Sequence, residues 1–378
     1  MNSPKTVLLA LGSNLGDRLG YMQTALDQIH ETIGWVREVS GIYETPAWGF
    51  EGNSFYNACT KIETRLDPQQ ILKSLQAIEN KLGRERNNSG AYQNRVIDLD
   101  LLIFEDEIIQ VENLQIPHPG IPDRKFVLLP LQDIAAKEIH PVLKRSYRDL
   151  LADTSDISEI NKVSEKLNIP DIKYNFPACN YIAVEGNIGA GKTSFSTMVS
   201  EDFNAKLILE RFKDNPFLPK FYEDKDRYAF SLEMSFLADR YQQLSDDLAQ
   251  YDLFKDFIIS DYDVFKSLIF ARITLHEDEY SLYHKLFHLM YKELVKPELY
   301  IYLYQNTDRL LQNIKKRGRD YEQNIQPEYL IEINKSYLNF IKSQSNMKVQ
   351  IIDISDLDFV ANRQDYLKLL AEIDKAVN

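Results

Sequence analysis

The chain is poor in cysteine, has no long apolar run and carries no excess of positive charge. Its 378 residues include two cysteines, Cys59 and Cys179, outside any Cys-x-x-Cys motif, which excludes a disulfide scaffold and a cysteine-built zinc site. A net charge of −13 argues against a surface that wraps nucleic acid. No stretch approaches the ~20 apolar residues of a membrane span, and the first apolar run is too short for a secretory signal. We therefore expect a reduced, cytoplasmic protein with neither nucleic acid nor membrane as a partner.

The length and the pattern of the chain predict two domains joined by a polar linker. A chain of 378 residues is too long for one ordinary domain. Residues 156–178 lie in the most weakly patterned stretch, which is polar and contains prolines. We expect one domain over residues 1–155 and a second over residues 179–378.

The two halves differ in how strands and helices alternate. In the first half, short strands and amphipathic helices interleave without a glycine-rich nucleotide loop, which predicts an α+β domain. The second half opens with an apolar strand at 181–184, a glycine loop and a helix, and apolar strands recur near 257–259, 299–304 and 349–352. Apolar strands that alternate with helices predict an α/β domain with a parallel sheet flanked by helices.

The glycine loop of the second half is the strongest chemical signal in the chain. It fits the phosphate-binding pattern Gly-x-x-x-x-Gly-Lys-Ser/Thr at every position, and a chance glycine-rich turn is the alternative. The glycines let backbone N–H groups surround phosphate oxygens, and the following helix directs its positive end at them. Lys192 would reach the β- and γ-phosphates, and the Thr193 hydroxyl would bind Mg²⁺. We expect ATP or GTP at the whole loop: Gly186, Asn187, Ile188, Gly189, Ala190, Gly191, Lys192 and Thr193.

In the first half, two carboxylates stand two residues apart on a β-rich segment. Side chains at positions i and i+2 share one face of a strand, so Asp98 and Asp100 converge, while Leu99, Leu101 and Ile103 face a core. Two carboxylates this close repel each other unless a cation lies between them, and Mg²⁺ is the usual cation near phosphates. Taken alone, the pair fits a half-exposed strand with an acidic outer face at least as well.

The second half resembles the deoxyribonucleoside kinase family over about residues 180–378. Its glycine loop reads "EGNIGAGK", and the segments "LERFKDNPFLPKFYEDKDRYAFSLEMSFLADRY", "SDYDVFKSLIFA", "LLQNIKKRGRDYE" and "VQIIDIS" resemble later family segments. The resemblance points to the bacterial deoxyguanosine/deoxyadenosine branch. It implies a P-loop kinase fold, Mg²⁺ with ATP as co-substrate, a purine deoxynucleoside as acceptor and a homodimer through the kinase domain.

Several residues of the second half suit roles in such a reaction. Glu210 follows an apolar run, so it lies at the carboxyl end of a strand, where α/β ligand sites occur. A carboxylate there can accept the proton of a sugar 5′-hydroxyl, and a solvated strand-end charge is the alternative. The resemblance implies that Arg317 and Arg319 clamp the transferring phosphoryl group, although such a basic run is often an exposed helix end. It assigns Tyr222 and Glu322 to the sugar of the acceptor. Asp261 would help to hold Mg²⁺ through water.

One position departs from the kinase family. The segment "SDYDVF" has Tyr262 where the family carries an arginine after an acidic residue. We expect Lys266 or Arg272 to supply the missing positive charge beside Glu210, or that charge to be absent.

Glu233 is a candidate for reading the acceptor base. It flanks the apolar seam of a predicted helix, so its side chain can point into the pocket, and a surface glutamate is the alternative. An ionised carboxylate only accepts hydrogen bonds, which suits the adjacent N1–H and N2–H₂ donors of guanine. Adenine would offer only its N6 amine, unless Glu233 were protonated. We therefore expect a purine deoxynucleoside, with deoxyguanosine favoured.

The first half resembles 6-hydroxymethyl-7,8-dihydropterin pyrophosphokinase over nearly all of residues 1–155. Six individually weak motifs occur in order: "LALGSNLGDR", "YETPAWG", "FYNAC", "IENKLGRER", "NRVIDLDLLIF" and "IPHPGIPDRKFVLLPL". The resemblance implies a ferredoxin-like fold and transfer of a pyrophosphoryl group from ATP to the pterin hydroxymethyl group, with release of AMP.

The same resemblance assigns the site residues of the first half. The acidic pair would bind two Mg²⁺ ions that bridge the ATP phosphates, and Arg84 and Arg95 would neutralise the transferred pyrophosphate. The remaining contacts would be His118 and Arg124 for ATP, and Thr45, Pro46, Phe55, Asn57 and Phe126 for the pterin. The loop between Arg84 and Arg95 departs from the family pattern, because it is longer, lacks the middle arginine and has Tyr92 in place of tryptophan.

These patterns together predict a bifunctional transferase that acts on a dihydropterin and on a purine deoxynucleoside. One alternative is that only the kinase domain is active and the first domain is a scaffold or a dimerisation module. Another is that the second domain phosphorylates nucleoside monophosphates.

Overall fold

A computed structural model describes residues 3–84, 93–170, 173–211, 215–250, 252–319, 322–323, 325–344 and 347–377 of the chain, without the side chain of Tyr222. Most of the loop after Arg84, including Tyr92, lies outside the described residues. The chain divides into two compact units, residues 1–172 and 173–378. In the described ranges, no helix is both long enough and apolar enough to cross a bilayer.

The first unit consists of an antiparallel sheet with helices, in agreement with the predicted α+β class. Its strands are β1 (Lys5–Ser13), β2 (Trp35–Val39), β3 (Tyr43–Thr45), β4 (Phe55–Thr64), β5 (Asp98–Phe104), β6 (Ile109–Val111), β7 (Leu114–Ile116) and β8 (Asn161–Lys162). Its helices are α1 (Arg18–Thr32), α2 (Pro68–Lys81), α3 (Lys125–Ala135) and α4 (Tyr147–Asp153). Strands β5, β1, β4, β3 and β8 are neighbours in that order, β2 also pairs with β4, and β6 pairs with β7 alone.

Both faces of this sheet are covered by helices. Strand β1 alternates between the two faces, because successive side chains point in opposite directions. Leu9 packs in the core shared with α1 and α2, and Leu8 packs in the core shared with α3 and α4. Helix α2 begins at Pro68, where Asp67 accepts from the Gln70 backbone N–H and the Gln70 side chain accepts in return from the Asp67 backbone N–H. Such a capping box contributes about 1 kcal/mol.

A bulge in β5 changes the face on which its last residues lie. Leu9 pairs with Leu101 and Leu8 pairs with Ile103, so Leu102 is an additional residue on the β5 side. Leu101 packs in the core beneath α1 and α2, as predicted, but Ile103 packs in the core beneath α3 and α4. The prediction for Ile103 is wrong, because the regular alternation on which it rests ends at the bulge.

The segment predicted to be a linker contributes to both units. Residues 161–162 form β8 against β3, and Leu167 is buried in the core of the first unit. Phe176 is buried in the second unit and stacks on Tyr174, with ring centroids 5.6 Å apart. The segment is polar and its apolar residues follow no regular period, so the sequence pattern does not reveal their burial.

The second unit is an α/β structure in which each strand is parallel to its neighbours, which confirms the predicted class. The sheet order is β10–β11–β9–β12–β13. Its strands are β9 (Tyr181–Gly186), β10 (Lys206–Ile208), β11 (Ile258–Ser260), β12 (Leu299–Tyr304) and β13 (Val349–Asp353). Its helices are α5 (Lys192–Asp202), α6 (Leu218–Glu223), α7 (Lys225–Ala249), α8 (Phe265–Thr274), α9 (Glu277–Tyr291), α10 (Thr307–Arg317), α11 (Pro327–Ser343) and α12 (Arg363–Val377).

This strand order brings the predicted kinase residues together. Strands β10, β11 and β9 are direct neighbours, and their carboxyl ends meet on the same side of the sheet. The glycine loop follows β9, Glu210 follows β10 and Asp261 follows β11. Ligand sites of open α/β sheets form at the carboxyl ends of the strands, so the topology itself builds a site from three separate segments.

Candidate active sites

The glycine loop of the second unit turns sharply between β9 and α5. Gly189 and Gly191 have φ angles of +86° and +83°, a left-handed region that side chains rarely adopt. A Cβ atom at position 191 would also lie 2.8 Å from a ring carbon of Phe359. The backbone therefore requires glycine at both positions, and α5 begins directly after the second.

Lys192 lies inside this loop. Its ammonium Nζ donates to the backbone oxygens of Gly186 and Asn187, at 2.8 and 3.0 Å. Burial, together with the nearby Lys266 ammonium, lowers the pKa of Lys192 to about 8. The carbonyl groups of the loop thus stabilise the positive charge of the Lys192 ammonium group.

A cavity of about 980 Å³ opens beside the loop. Glu210 and Asp261 lie on its wall, and Arg317 and Arg319 contribute positive charge to it. The loop residues that line it are Gly189, Ala190, Gly191, Lys192 and Thr193.

Three of the predicted nucleotide-binding residues, Gly186, Asn187 and Ile188, do not line this cavity. The Asn187 side chain points into the protein, where its amide donates to the Leu330 backbone oxygen at 2.7 Å and to Asn334 Oδ1 at 2.8 Å. Its own Oδ1 accepts from the Ile188 backbone N–H at 2.7 Å. Asn187 therefore braces the loop against α11.

Glu210 is held between two cations. Its Oε1 accepts from Arg240 Nε at 2.9 Å and from Arg240 Nη2 at 2.8 Å, and its Oε2 accepts from Lys266 Nζ at 2.5 Å. Burial alone would raise the pKa of Glu210, but Lys266 and Arg240 hold it well below its usual range. The carboxylate is therefore ionised throughout the physiological range.

Of the two predicted candidates for the cation missing from the family pattern, Lys266 is the one that lies beside Glu210. The other candidate, Arg272, is exposed and pairs with Glu277 at 3.1 Å. Sequence reasoning missed Arg240, whose Nη1 also donates to Ser267 Oγ at 2.8 Å. A usable signal existed, because Arg240 follows Glu233 by seven residues and so shares its face of α7.

Asp261 connects the glycine loop to Glu210. Its Oδ2 accepts from the Thr193 hydroxyl, and its Oδ1 accepts from the Glu210 backbone N–H at 2.7 Å. Burial raises the pKa of Asp261 despite the Thr193 hydrogen bond. A hydroxyl and a carboxylate beside a phosphate loop are a suitable donor set for Mg²⁺, which takes few protein ligands and completes its shell with phosphate and water. Among the described residues, no cluster of three or more His, Cys, Asp or Glu side chains suited to a metal occurs.

Two of the remaining predicted kinase residues, Glu233 and Glu322, are not among those that line the cavity. Glu322 is buried and accepts hydrogen bonds from Arg317 and from Arg319, the latter at 3.1 Å, so the structure brings these three together. Glu233 is buried on α7 and does not line the large cavity. Tyr222 lies on α6, and its side chain is not described.

The first unit has an aromatic pocket at the start of β4. The predicted residues Thr45, Pro46, Phe55, Asn57 and Phe126 all line it. The Asn57 side-chain amide donates to Thr45 Oγ1 at 2.8 Å, which fixes its orientation and leaves its Oδ1 oxygen directed at Gly12.

Two further aromatic residues, missed by sequence reasoning, complete this pocket. Trp48 lies 6.0 Å from Phe126 and Phe50 lies 6.3 Å from Phe55, measured between ring centroids. Gly12 lies among them, since a Cβ there would meet Asn57 Oδ1 at 3.2 Å and Phe55 Cδ1 at 3.7 Å. Flat aromatic faces around an amide suit a flat, hydrogen-bonding ring such as a pterin.

Asp98 and Asp100 lie at the same pocket. The two predicted arginines are bound to Asp98, with Arg84 Nη1 2.6 Å from Oδ1 and Arg95 Nη1 2.8 Å from Oδ2. Burial, the neighbouring Asp98 and the buried Glu79 raise the pKa of Asp100 to about 7. Asp98 and Asp100 form a pair of carboxylates whose negative charge requires a cation. Both offer oxygen ligands, which Mg²⁺ prefers.

Glu79 was not predicted as part of this site. It accepts from the Leu99 backbone N–H at 2.9 Å and from Arg84, so it attaches α2 to the strand that carries both aspartates. Of the two residues predicted to contact ATP, Arg124 lines the pocket. His118 does not line it, and burial lowers the pKa of His118, as does the nearby Arg124.

Fold and site together define an enzyme with two phosphate-transfer centres, one built on a P-loop and one on a carboxylate pair. Residues 182–378 match the family model described as deoxynucleoside kinase, and residues 8–136 match that described as 7,8-dihydro-6-hydroxymethylpterin-pyrophosphokinase. The chain belongs to the deoxynucleoside kinase family through its second unit and to the dihydropterin pyrophosphokinase family through its first, which confirms both resemblances.

Individual relatives match one unit each. Deoxyguanosine kinase of Bacillus subtilis is 37% identical over 52% of this chain and 97% of the relative. The 2-amino-4-hydroxy-6-hydroxymethyldihydropteridine pyrophosphokinases of Aquifex aeolicus and Porphyromonas gingivalis are 38% and 42% identical, over 38% and 36% of this chain and 89% and 93% of the relatives. A solved structure of deoxyadenosine kinase from M. mycoides is 26% identical and covers 50% of this chain and 98% of its own, with a TM-score of 0.44.

The aromatic pocket yields a prediction for Gly12→Ala. The added methyl group would displace Asn57 Oδ1, so we expect the affinity for a hydroxymethyl-dihydropterin to fall by about tenfold, which corresponds to about 1.4 kcal/mol. Binding can be followed by quenching of Trp48 fluorescence. Trp48→Phe serves as the control that assigns the signal, and unchanged pterin affinity in Gly12→Ala would refute the assignment of Asn57 to the pterin.

Proposed function

We propose that the chain is a bifunctional transferase. Its first unit would transfer a pyrophosphoryl group from ATP to 6-hydroxymethyl-7,8-dihydropterin, and its second would transfer the γ-phosphoryl group of ATP to the 5′-hydroxyl of a purine deoxynucleoside. The observation that carries this proposal is that each unit has its own charged centre beside its own cavity: Glu210 between Lys266 and Arg240, and Asp98 between Arg84 and Arg95.

In the kinase reaction, Glu210 would orient the attacking hydroxyl. A carboxylate offers about four lone-pair positions, and Arg240 and Lys266 occupy three, which leaves one for the 5′-hydroxyl. Because the transition state is loose, little basicity is needed before the oxygen–phosphorus bond begins to form. The hydroxyl proton would then pass to Glu210, while Lys192, Arg317 and Arg319 stabilise the charge on the phosphoryl oxygens.

In the pyrophosphokinase reaction, the aromatic pocket would hold the pterin with Asn57 at the ring's polar side. Arg84 and Arg95 would leave Asp98 and bind the transferred pyrophosphate, whose negative charge exceeds that of a single carboxylate. Glu79 would keep Arg84 close during this exchange. His118 and Arg124 would contact ATP.

Both centres would use Mg²⁺. Thr193 and, through water, Asp261 would hold it in the second unit, and Asp98 and Asp100 would hold two ions in the first. Mg²⁺ held by these residues would supply positive charge that offsets the negative charge of the phosphate oxygens.

The acceptor of the kinase would be deoxyguanosine in preference to deoxyadenosine. The Bacillus subtilis relative is a deoxyguanosine kinase, and the buried Glu233 suits the adjacent N–H donors of guanine when it is ionised.

We also propose a ferredoxin-like fold for the first unit, since the strand order β5–β1–β4–β2 supports it. We further propose that the residues of the two activities fall within 1–155 and 179–378, while residues 156–172 complete the fold of the first unit. The sugar contacts of Tyr222 and Glu322 and a homodimer through the kinase unit are part of the same proposal.

Product analysis with single-site variants tests the two activities. We expect AMP to be released from ATP only when hydroxymethyl-dihydropterin is present, and ADP only when deoxyguanosine is present. Asp98→Asn should abolish the first and spare the second, and Glu210→Gln should do the reverse, because each carboxylate serves one centre. If the intact chain released no AMP, the first unit would be a scaffold. If dGMP but not deoxyguanosine consumed ATP, the second unit would be a monophosphate kinase.

The pH dependence of the kinase tests the role of Lys266. Removing its charge in Lys266→Met lets burial raise the pKa of Glu210, so the acid limb of kcat/KM should move to higher pH and activity should fall by at least about tenfold. The matched control is Arg272→Met, which removes the exposed cation and should leave the profile unchanged. The reverse pattern would assign the missing charge to Arg272.

A further inference from the structure

Residues 156–162, which we call the bracing segment, contact two elements that line the aromatic pocket of the first unit. The segment follows residues 8–136, the part of the chain that matches the pyrophosphokinase family model. Its start contacts α3, which carries Phe126, and its end pairs with β3, which carries Thr45. Both of these side chains line the pocket, and none of the described residues of the bracing segment does so. Any effect of the segment on the pocket is therefore transmitted through the elements that it contacts.

Helix α3 receives its N-terminal cap from this segment. In the described chain, the N-cap residue Arg124 makes no side-chain capping hydrogen bond, and the first turn of α3 contains no acidic residue. Asp156 Oδ2 accepts instead from the Lys125 backbone N–H at 2.9 Å, and Lys125 Nζ donates to the Ser158 backbone oxygen at 3.0 Å. The Ser158 backbone N–H donates to Asp156 Oδ1 at 2.9 Å, which orients the carboxylate. A negative group at this position pairs with an N–H that has no partner within the helix, and it is favoured by the positive end of the helix.

The capped residue lies between two side chains that line the pocket. Arg124 and Phe126 flank Lys125 in the sequence, and both contribute to the pocket wall. The guanidinium carbon of Arg124 is 5.8 Å from the ring centroid of Phe126, which is 6.0 Å from that of Trp48. A contact that holds Lys125 therefore fixes the backbone from which both pocket side chains extend.

The end of the bracing segment joins β3 to α3. Lys162 lies opposite Tyr43 in the pairing of β8 with β3. Lys162 Nζ donates to Asp133 Oδ2 of α3 at 2.9 Å, and the Tyr43 hydroxyl donates to the same oxygen at 3.0 Å. Thr45, two residues after Tyr43 on β3, accepts from the Asn57 amide at the pocket. One carboxylate on α3 thus receives one donor from the strand that orients Asn57 and another from the bracing segment.

We propose that the bracing segment positions the pterin pocket, because it holds the side with Phe126 and the side with Thr45 and Asn57 at the spacing that a flat ring requires. Asp156 and Lys162 are its positioning residues, and they act through α3 and β3 rather than by touching the substrate. This inference rests on the pyrophosphokinase function proposed above and assigns further residues to the same site.

The spacing matters because contact with a flat ring is sensitive to distance. Non-bonded carbon atoms attract each other best at about 3.5–4.0 Å, and a gap of about 0.5–1 Å beyond that forfeits about a quarter to a half of the attraction. The Asn57 amide is similarly demanding, since hydrogen bonds to nitrogen or oxygen are confined to about 2.7–3.2 Å. A small displacement of α3 relative to β3 therefore weakens pterin binding while the unit stays folded.

Asp156→Ala tests the contact with α3. Without the cap, ordering the first turn of α3 becomes part of the cost of pterin binding. At saturating Mg·ATP, we expect the KM for hydroxymethyl-dihydropterin to rise by about fivefold. The kcat for AMP release should not change, because the pocket holds the ring equally in the ground state and in the transition state. Asp156→Asn should restore the wild-type KM, since asparagine caps helices as well as aspartate does.

The matched control is Ser146→Ala, which removes an N-cap from α4 in the same unit. Ser146 Oγ accepts from the Asp149 backbone N–H at 3.1 Å. This variant should lower the melting temperature of the first unit about as much as Asp156→Ala does, yet leave the pterin KM unchanged. An equal rise of KM in Ser146→Ala, or an unchanged KM in Asp156→Ala, overturns this inference alone. If the wild-type chain releases no AMP, the proposed pyrophosphokinase function itself fails.

Lys162 provides a second test at the other end of the bracing segment, which holds even if Asp156→Ala does not fold. Lys162→Met removes a donor from Asp133, and because the ion pair is partly exposed we expect a smaller rise of the pterin KM, by about twofold to threefold. Lys162→Arg keeps the charge and should retain the wild-type KM. The control is Lys5→Met, which breaks the similarly exposed pair of Lys5 with Glu105 and should leave KM unchanged. An unchanged KM in Lys162→Met, or an equal rise in Lys5→Met, contradicts the proposal.

Discussion

Charge removed from water has to be compensated inside each unit, and this requirement organises both sites. Desolvating an unpaired charge costs several kcal/mol, and most of the charged groups described at the two sites are paired within the chain. Lys192 binds carbonyl oxygens of its own loop, and Glu210 is held by Arg240 and Lys266. In the first unit, Arg84 and Arg95 both bind Asp98.

Under the proposed function, substrate binding at both sites would be an exchange of ionic partners. A triphosphate that approached Lys192 would replace carbonyl dipoles with full negative charge, so the gain would exceed the loss. The same would hold if Arg84 and Arg95 moved from Asp98 to a pyrophosphate. Positive groups already poised beside the reacting atoms need little reorganisation during the reaction, which is a main source of electrostatic catalysis.

The sequence predicted secondary structure well where the spacing of apolar side chains and the motifs agree. The strand at 299–304 has the predicted bounds, because an apolar run in a parallel sheet leaves little ambiguity. Glu210 could be placed at a strand end for the same reason. For the cation beside Glu210, the sequence offered two candidates, Lys266 and Arg272, but could not decide between them. The choice depends on tertiary packing around that strand, which residue spacing does not encode.

Other features were beyond sequence reasoning for identifiable reasons. The spacing from Glu233 places Arg240 on the same face of α7, but its pairing with Glu210 depends on how α7 packs in the fold, which residue spacing does not give. The bulge at Leu102 has no compositional mark, because leucine fits either face of the strand. Asn187 occupies a motif position that predicts contact with phosphate, yet its amide bonds to α11, and only the fold reveals that direction.

The short strand β8 covers one side of β3 in the first sheet, and Leu167 fills part of the core behind it. A version of the first unit cut after residue 155 would lose both. It would expose an unpaired row of backbone donors and acceptors along β3, and an open sheet edge of that kind recruits further strands and promotes aggregation. Isolating the pterin-binding half as a soluble fragment therefore requires the polar stretch that follows it, through about residue 172.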